Sequence, residues 1–485
     1  MGTDAPSRSR IRIPGLPKDF DPRLAAALTV SKIAGEASRR LGRGGGTSAP
    51  GLIAERIDPD ILNKLAARLE SGAIVVAGTN GKTTTSRMIA DILTAAGYEV
   101  VHNRTGANLV RGVTVALADR TSPLGQPKGT IAVIEADEAA FPEIVRRTQP
   151  RLILLNNLFR DQLDRYGELD TIARTWAAAF QTLSPDSTIV VNADDPTLSF
   201  ITEGLAAKRV AFGLNEAKHR LDALPHAADA ATCKVCGADL TYHALYVSHL
   251  GDWYCPNDDS ARPSLNLAGG EIALKGVESL AMTVTPANGE PVRVTIDVPG
   301  IYNAYNTLAA YAVTAQAGVA PERIVGTLAA FRSAFGRIER VPYKGRTLTI
   351  ALVKNPVGFN EVLRMLTVET GGLSVPTMIA INDLDADGRD VSWLWDVDFE
   401  LLADGDGHLS TTGIRGADMA NRLKYAGVPL DRITALPDDL GAGLDAFVAS
   451  VPEGADAYIL PTYTAMLGLR KILADRGAVE SFWEQ

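Results

Sequence analysis

The sequence predicts an α/β protein: a P-loop unit on a doubly wound, mostly parallel sheet, followed by a second alternating α/β unit. Three observations predict it. Residues 73–85, Ala-Ile-Val-Val-Ala-Gly-Thr-Asn-Gly-Lys-Thr-Thr-Thr, pass from a strand-length apolar run through a glycine turn into a helix. From residue 73 onward, strand-like runs alternate with helical patterns. The runs Ile131–Ile134, Leu152–Leu155 and Ile189–Val191 each end in polar residues, as strands do at the ligand-binding edge of a parallel sheet.

A chain of 485 residues exceeds one ordinary core, so two large domains with appendages are expected. Its 46% hydrophobic and 22% charged residues describe a globular protein. A net charge of −9 argues against a broad nucleic-acid surface, so no nucleic-acid partner is expected. No apolar run approaches the roughly 20 residues that cross a bilayer. Met1 to Pro14 lacks the apolar stretch of a signal peptide. The three cysteines all lie between 233 and 255, which leaves no disulfide framework. A cytoplasmic protein without a transmembrane segment follows as the expectation.

Residues 1–22 read as a polar extension, and Leu24–Leu41 has helical spacing. Gly44–Gly51 reads as a turn-rich break. Leu169–Leu183 reads as a helix, residues 230–262 as a cysteine-bearing insert, and Tyr302–Ala317 and Pro321–Phe331 as helices. The boundary is expected near Ser333–Gly336. Beyond it come strands near Thr349–Val353, Thr377–Ile381, His408–Thr411 and Ala457–Leu460, with a helix at Gly416–Tyr425. The expected domains are 1–50 (extension and helix), 51–334 (nucleotide-binding, with the insert 230–262) and 335–485 (C-terminal).

The turn Gly78-Thr79-Asn80-Gly81 and the helix start Lys82-Thr83-Thr84 form the candidate ATP site. Backbone N–H groups of such a turn and helix N-terminus cradle a polyphosphate. Lys82 reaches the β/γ-phosphates and the Thr83 hydroxyl sits on Mg²⁺. The strict Walker pattern wants Gly where Val76 stands, so this is a compressed variant. Glu135 ends a strand and is the candidate Mg²⁺ carboxylate, with Asp137 and Glu138 competing. Asn303 and Asn306 share one face of a helix start; their amides suit an adenine edge, and helix capping by Asn303 is the alternative. Cys233-Lys-Val-Cys236 followed by Cys255-Pro-Asn-Asp258 has the layout of a zinc ribbon with one ligand replaced. Asp258 is the candidate fourth Zn²⁺ ligand; His249, His243 or Asp259 are substitutes. The expected role is structural.

The compressed Gly-Thr-Asn-Gly-Lys-Thr turn resembles that of the Mur ligase superfamily, which activates carboxylates with ATP. Asn157–Gly167 resembles its Asp-His-Leu-Asp signature, with Gln162 at the His position. Gly300–Ala310 is a third match, and Arg337 stands where such ligases bring an arginine onto the phosphates. No lysine occurs between Lys128 and Lys208, so the carbamylated lysine of many Mur ligases is not expected. With the P-loop so early, a domain holding a uridine-diphosphate sugar is not expected, and neither is a substrate carrying uridine diphosphate. Asn103–Gly112, Glu135–Ala140, Leu352–Val362, Asp387–Asp396 and Pro461–Met466 resemble the MurT family, the Mur-ligase-like subunits of lipid II isoglutaminyl synthase.

That resemblance implies a Mur ligase central ATP-binding domain and a C-terminal Rossmann-like domain. It implies ATP-dependent amidation of the α-carboxylate of D-glutamate in lipid II, presented at the membrane surface, through an acyl phosphate. It also implies a heterodimer with a GatD-type glutaminase, to which this subunit lends the acidic member of the catalytic triad: Asp396, or Asp390 as runner-up. Two other readings compete. A stand-alone Mur-like or folylpolyglutamate-synthase-like ligase would act without a partner, and a non-catalytic scaffold would bind ATP without releasing phosphate.

Overall fold

The computed structural model describes residues 20–40, 48–103, 107–160, 169–332, 338–367 and 372–479. Arg337, Gln162 and the expected boundary at 333–336 lie outside them.

Three helices, α1 (Pro22–Arg40), α2 (Ser48–Ile57) and α3 (Ile61–Ala66), precede the first sheet. The turn-rich reading of Gly44–Gly51 needs correction, because a helix starts at Ser48. Pro50 sits in its first turn, where no intrahelical N–H is lost. Gly51 is there for closeness: a Cβ would stand 2.7 Å from the Arg111 carbonyl oxygen.

The core then alternates: β1 (Ala73–Ala77), α4 (Lys82–Ala95), β2 (Val100–His102), α5 (Val110–Asp119), β3 (Ile131–Glu135), α6 (Phe141–Thr148), β4 (Leu152–Leu155), α7 (Leu169–Phe180), β5 (Thr188–Asn192), α8 (Pro196–Ile201) and β6 (Lys208–Leu214). A hairpin, β7 (Thr241–Val247) and β8 (Leu250–Tyr254), forms a separate two-stranded sheet. Strands β9 (Leu267–Lys275), β10 (Ser279–Pro286) and β11 (Val292–Ile296) follow, then helices α9 (Ile301–Gln316) and α10 (Pro321–Ala330).

The large sheet has nine strands in the order β11-β10-β9-β6-β5-β4-β1-β3-β2. Its pairs from β2 to β9 are parallel, whereas β9-β10 and β10-β11 are antiparallel. The expected parallel sheet therefore carries an antiparallel extension. Alternation of side chains splits β1 between two cores. Ile74 and Val76 face α4 and α9, while Val75 and Ala77 face the α1–α3, α5 and α6 side. Because β1 pairs with β3 on one side and β4 on the other, the loops after these three strands converge.

The second sheet has six strands in the order β12-β13-β17-β14-β15-β16: β12 (Ile338–Tyr343), β13 (Arg346–Ala351), β14 (Thr377–Ala380), β15 (Leu409–Thr412), β16 (Ile433–Ala435) and β17 (Asp456–Pro461). Only β12 pairs antiparallel. Helices α11 (Pro356–Thr367), α12 (Gly416–Tyr425), α13 (Leu440–Ser450) and α14 (Tyr463–Asp475) cover it, with cores on both faces. The segments leaving β13 and β14 meet the first unit at Asn80 and Arg160, so the carboxyl edges of the two sheets face each other.

Candidate active site

Gly78 and Gly81 take φ of 144° and 83°, a region that favours glycine. At Gly81 a Cβ would also stand 2.1 Å from Asn306 Oδ1, so the P-loop turn and the start of α9 touch. Asn306 Oδ1 accepts from Thr85 (3.1 Å) and its Nδ2 donates to Asn303 Oδ1 (2.9 Å), while Asn303 Nδ2 donates to the Pro299 carbonyl (2.6 Å). The two asparagines are thus one chain of amides on one face. The capping alternative is not what Asn303 does: Gly300 is the N-cap, and no side chain caps the helix.

The turn is braced by the segment after β4. Asn80 N–H donates to Asn157 Oδ1 (2.8 Å), and Asn157 Nδ2 returns a bond to the Asn80 carbonyl (3.1 Å). Phe159 N–H donates to the Thr79 hydroxyl, which donates to the Phe159 carbonyl. Lys82 is buried; its Nζ lies 2.6 Å from the Gly78 carbonyl and 3.0 Å from Glu138 Oε1. Thr83 is buried beside it. Glu135 is buried at the end of β3, its N–H held by Asn103 Oδ1 (2.8 Å). Of the competing acids, Glu138 carries a carboxylate that meets Lys82.

From the second unit, Asn355 exchanges amide bonds with Asn80 (3.0 and 3.4 Å), and Lys354 Nζ lies 3.5 Å from the Thr79 carbonyl. These two residues were not singled out from the sequence, although they follow an apolar strand as Glu135 and Asn156 do. A cavity of about 270 Å³ lies at the junction. Asn80, Thr84, Asn303 and Asn306 line one side; Lys354 and Glu361 line the other. Burial pushes the Glu361 carboxyl up to about 7, against the pull of Arg364. α9 is held in place from beneath, where Tyr305 and Arg262 both donate to fully buried Asp194 (2.6 and 2.9 Å).

Asp390 and Asp396 flank a single 3₁₀ turn, Ser392–Asp396. Asp390 Oδ1 accepts from the Ser392 N–H (2.8 Å), which holds its carboxyl below the ordinary range. Asp396 ends the turn, its Oδ2 lying 3.7 Å from Arg160 Nη2. Beside it Trp395 is 53% exposed, with the Arg422 guanidinium 5.3 Å over its ring.

Cys233, Cys236, Cys255 and Asp258 place their ligand atoms within 4.8 Å of one another. The backbone N–H groups of Val235 and Asn257 point at Cys233 and Cys255 sulfurs (both 3.4 Å), the N–H···S arrangement that steadies a thiolate. Three soft sulfurs and one carboxylate fit a tetrahedral zinc ion. His249 is buried elsewhere, 3.5 Å from Asp195, and is not in the cluster.

The chain is 33% identical over 460 residues to the MurT subunit of lipid II isoglutaminyl synthase (glutamine-hydrolyzing) from Streptococcus pneumoniae, covering 93% of this chain and 98% of that one. The chain belongs to the MurT family. A second MurT subunit, from Staphylococcus aureus, is 33% identical over 408 residues, covering 83% of this chain and 88% of the relative. The MurT ligase C-terminal family matches residues 352–466, and the Mur ligase middle domain matches 76–251. A pseudomurein peptide ligase type C from Methanothermus fervidus has the same fold, with a TM-score of 0.65 at 17% identity over 85% of this MurT-family chain and 80% of its own. Among the described residues, no helix is long and apolar enough to cross a membrane.

Proposed function

We propose that this chain is the ligase subunit of a lipid II isoglutaminyl synthase, amidating the α-carboxylate of D-glutamate in the lipid II stem peptide. Kinship to MurT subunits over nearly the whole length, through both halves of the chain, carries the reading. In it, residues 51–334 form the Mur ligase central ATP-binding domain and residues 335–485 a Rossmann-like C-terminal domain. The enzyme works in the cytoplasm on a lipid-linked substrate at the membrane surface.

A carboxylate is a poor electrophile, so it is first activated. One carboxylate oxygen attacks the γ-phosphorus of ATP, the bond to the bridging oxygen breaks, and ADP leaves. Ammonia adds to the acyl carbon of the resulting acyl phosphate. Phosphate departs, and one proton is lost to leave the neutral amide. The main demand on the protein is to hold and neutralise phosphoryl charge. Gly78–Thr84 cradle the phosphates, Lys82 supplies positive charge, and Asn303 and Asn306 present amides to the adenine. Arg337 joins them by resemblance. Mg²⁺, when bound, adds further neutralisation, with Thr83 and Glu135 as the residues to hold it. Zn²⁺ belongs to Cys233, Cys236, Cys255 and Asp258, in a structural zinc-ribbon-like insert.

The ammonia comes from a GatD-type glutaminase partner in a heterodimer. This chain offers no glutaminase nucleophile of its own, since all three cysteines lie in the zinc cluster. Asp396 completes the partner's triad, and Asp390 is the runner-up. The test is co-purification with the partner, then incubation with lipid II, ATP and glutamine, reading the amide by mass spectrometry. A stand-alone ligase would instead incorporate an amino acid without the partner; a scaffold would bind ATP and release no phosphate.

A further inference from the structure

Arg160 occupies a position that neither motif nor kinship assigns. It ends the segment that braces the P-loop: Asn157 holds Asn80, Phe159 holds Thr79, and Arg160 comes next. Its backbone N–H donates to Asp229 Oδ2 (2.8 Å), and its Nε bonds the other oxygen of the same buried carboxylate. That anchorage aims the far end of the guanidinium at the second unit, where Nη2 stands 3.7 Å from Asp396 Oδ2. Among the described residues, Arg160 is the ionic partner of Asp396. Two residues on, Asp398 faces His226 Nδ1 of the first unit (3.0 Å), and its carboxylate accepts from Asn360 of α11 (2.8 Å). The carboxyl end of the Ser392–Asp396 turn is therefore held against the first unit by Arg160 and His226.

We propose that Arg160 is a positioning residue for Asp396, linking the acid lent to the glutaminase with the segment that braces the nucleotide loop. The proposal rests on the reading of Asp396 as the partner's triad acid. A triad carboxylate must hold one orientation to fix the histidine tautomer. Arg160 faces Oδ2 at 3.7 Å, so Oδ1 is the oxygen offered to the partner's histidine. A nucleotide that shifts Thr79 or Asn80 acts on Asn157 and Phe159 and so on the guanidinium. Glutamine hydrolysis then responds to nucleotide in the ligase site, which limits the release of ammonia when no acyl phosphate awaits it.

The test uses the intact heterodimer. Glutaminase rate is measured with and without a non-hydrolysable ATP analogue for the parent, Arg160→Gln, Arg160→Lys and Asp396→Asn, beside amidation driven by free ammonia. The parent is expected to respond to the analogue by about two- to five-fold, the size that one partly exposed ion pair can transmit. Arg160→Gln abolishes that response and leaves ammonia-driven amidation within about twofold, and Arg160→Lys keeps part of it. An unchanged response in Arg160→Gln, or none in the parent, overturns the coupling. So does an equal loss of ammonia-driven amidation in both Arg160 variants, which would make the residue a brace only. Normal glutaminase activity in Asp396→Asn overturns the triad reading itself, whereas its collapse together with an intact response in Arg160→Gln removes the coupling alone.

Discussion

Replacing Glu361 by glutamine should change how stability depends on pH. Glu361 lies in α11, buried at the junction cavity, with Arg364 as a distant ionic partner at 3.8 Å. Burial outweighs that partner and lifts its carboxyl from 4.5 to about 7. Such a group binds its proton more tightly in the folded chain than in the unfolded one. Its contribution is therefore complete below about 4.5 and is lost as pH rises through about 7. At ~1.4 kcal/mol per pH unit, the gap amounts to roughly 3 kcal/mol. Glutamine mimics the protonated form and never ionises. Thermal unfolding of both proteins between pH 5 and 8.5 is the assay. The melting temperatures should nearly coincide at pH 5 and diverge by about 5–10 °C at pH 8, the variant being more stable. A difference that stays constant from pH 5 to 8, or grows toward acid, refutes the reasoning.

Lys82→Ala should reduce ATP-dependent amidation to background while the heterodimer still assembles, because phosphate charge is left uncompensated; near-normal turnover would sink the ligase assignment. Asp396→Asn should lower the partner's glutaminase rate on the order of 10⁴-fold, yet spare amidation fed with free ammonia. If Asp390→Asn does this instead, the shared triad stands and the residue is Asp390. Protein purified without chelators should contain close to one zinc per chain, and Asp258→Cys should retain it against at least about tenfold more chelator, since a thiolate replaces a harder oxygen. Elemental analysis giving almost no zinc in either form would rule out the metal site.

How far each feature was legible depended on how local its cause is. The P-loop was readable because turn, lysine and helix start are contiguous, and Asn303 with Asn306 because helical spacing alone aligns them. Asp396 and Asp390 cannot be separated by sequence: both are acids beside one short turn, and only the folded chain sets one on Ser392 and the other near Arg160. The antiparallel extension did carry a signal. Val292-Arg293-Val294-Thr295-Ile296 alternates strictly, and Asn288-Gly289 is a hairpin turn pair. The helix at Ser48 was hidden because Pro50 and Gly51 read as breakers, whereas one sits in the first turn and the other makes room for α5. Lys354 and Asn355 meet the P-loop across 275 residues of sequence, a closeness that only the packing of two sheets creates.

That closeness bears on how the ligase site must work. Lys82 already has an anionic partner in Glu138, both buried. A polyphosphate in the turn and Glu138 carry like charge, and both draw on the Lys82 ammonium. Leaving a carboxylate buried beside phosphate without compensation costs several kcal/mol. Two routes relieve this: a cation between Glu138 and the phosphates, or a second ammonium arriving from elsewhere. Lys354, 3.5 Å from the Thr79 carbonyl on the opposite wall, is placed to be that second ammonium. It belongs to the second unit, so it reaches the P-loop through the meeting of the two sheets' carboxyl edges.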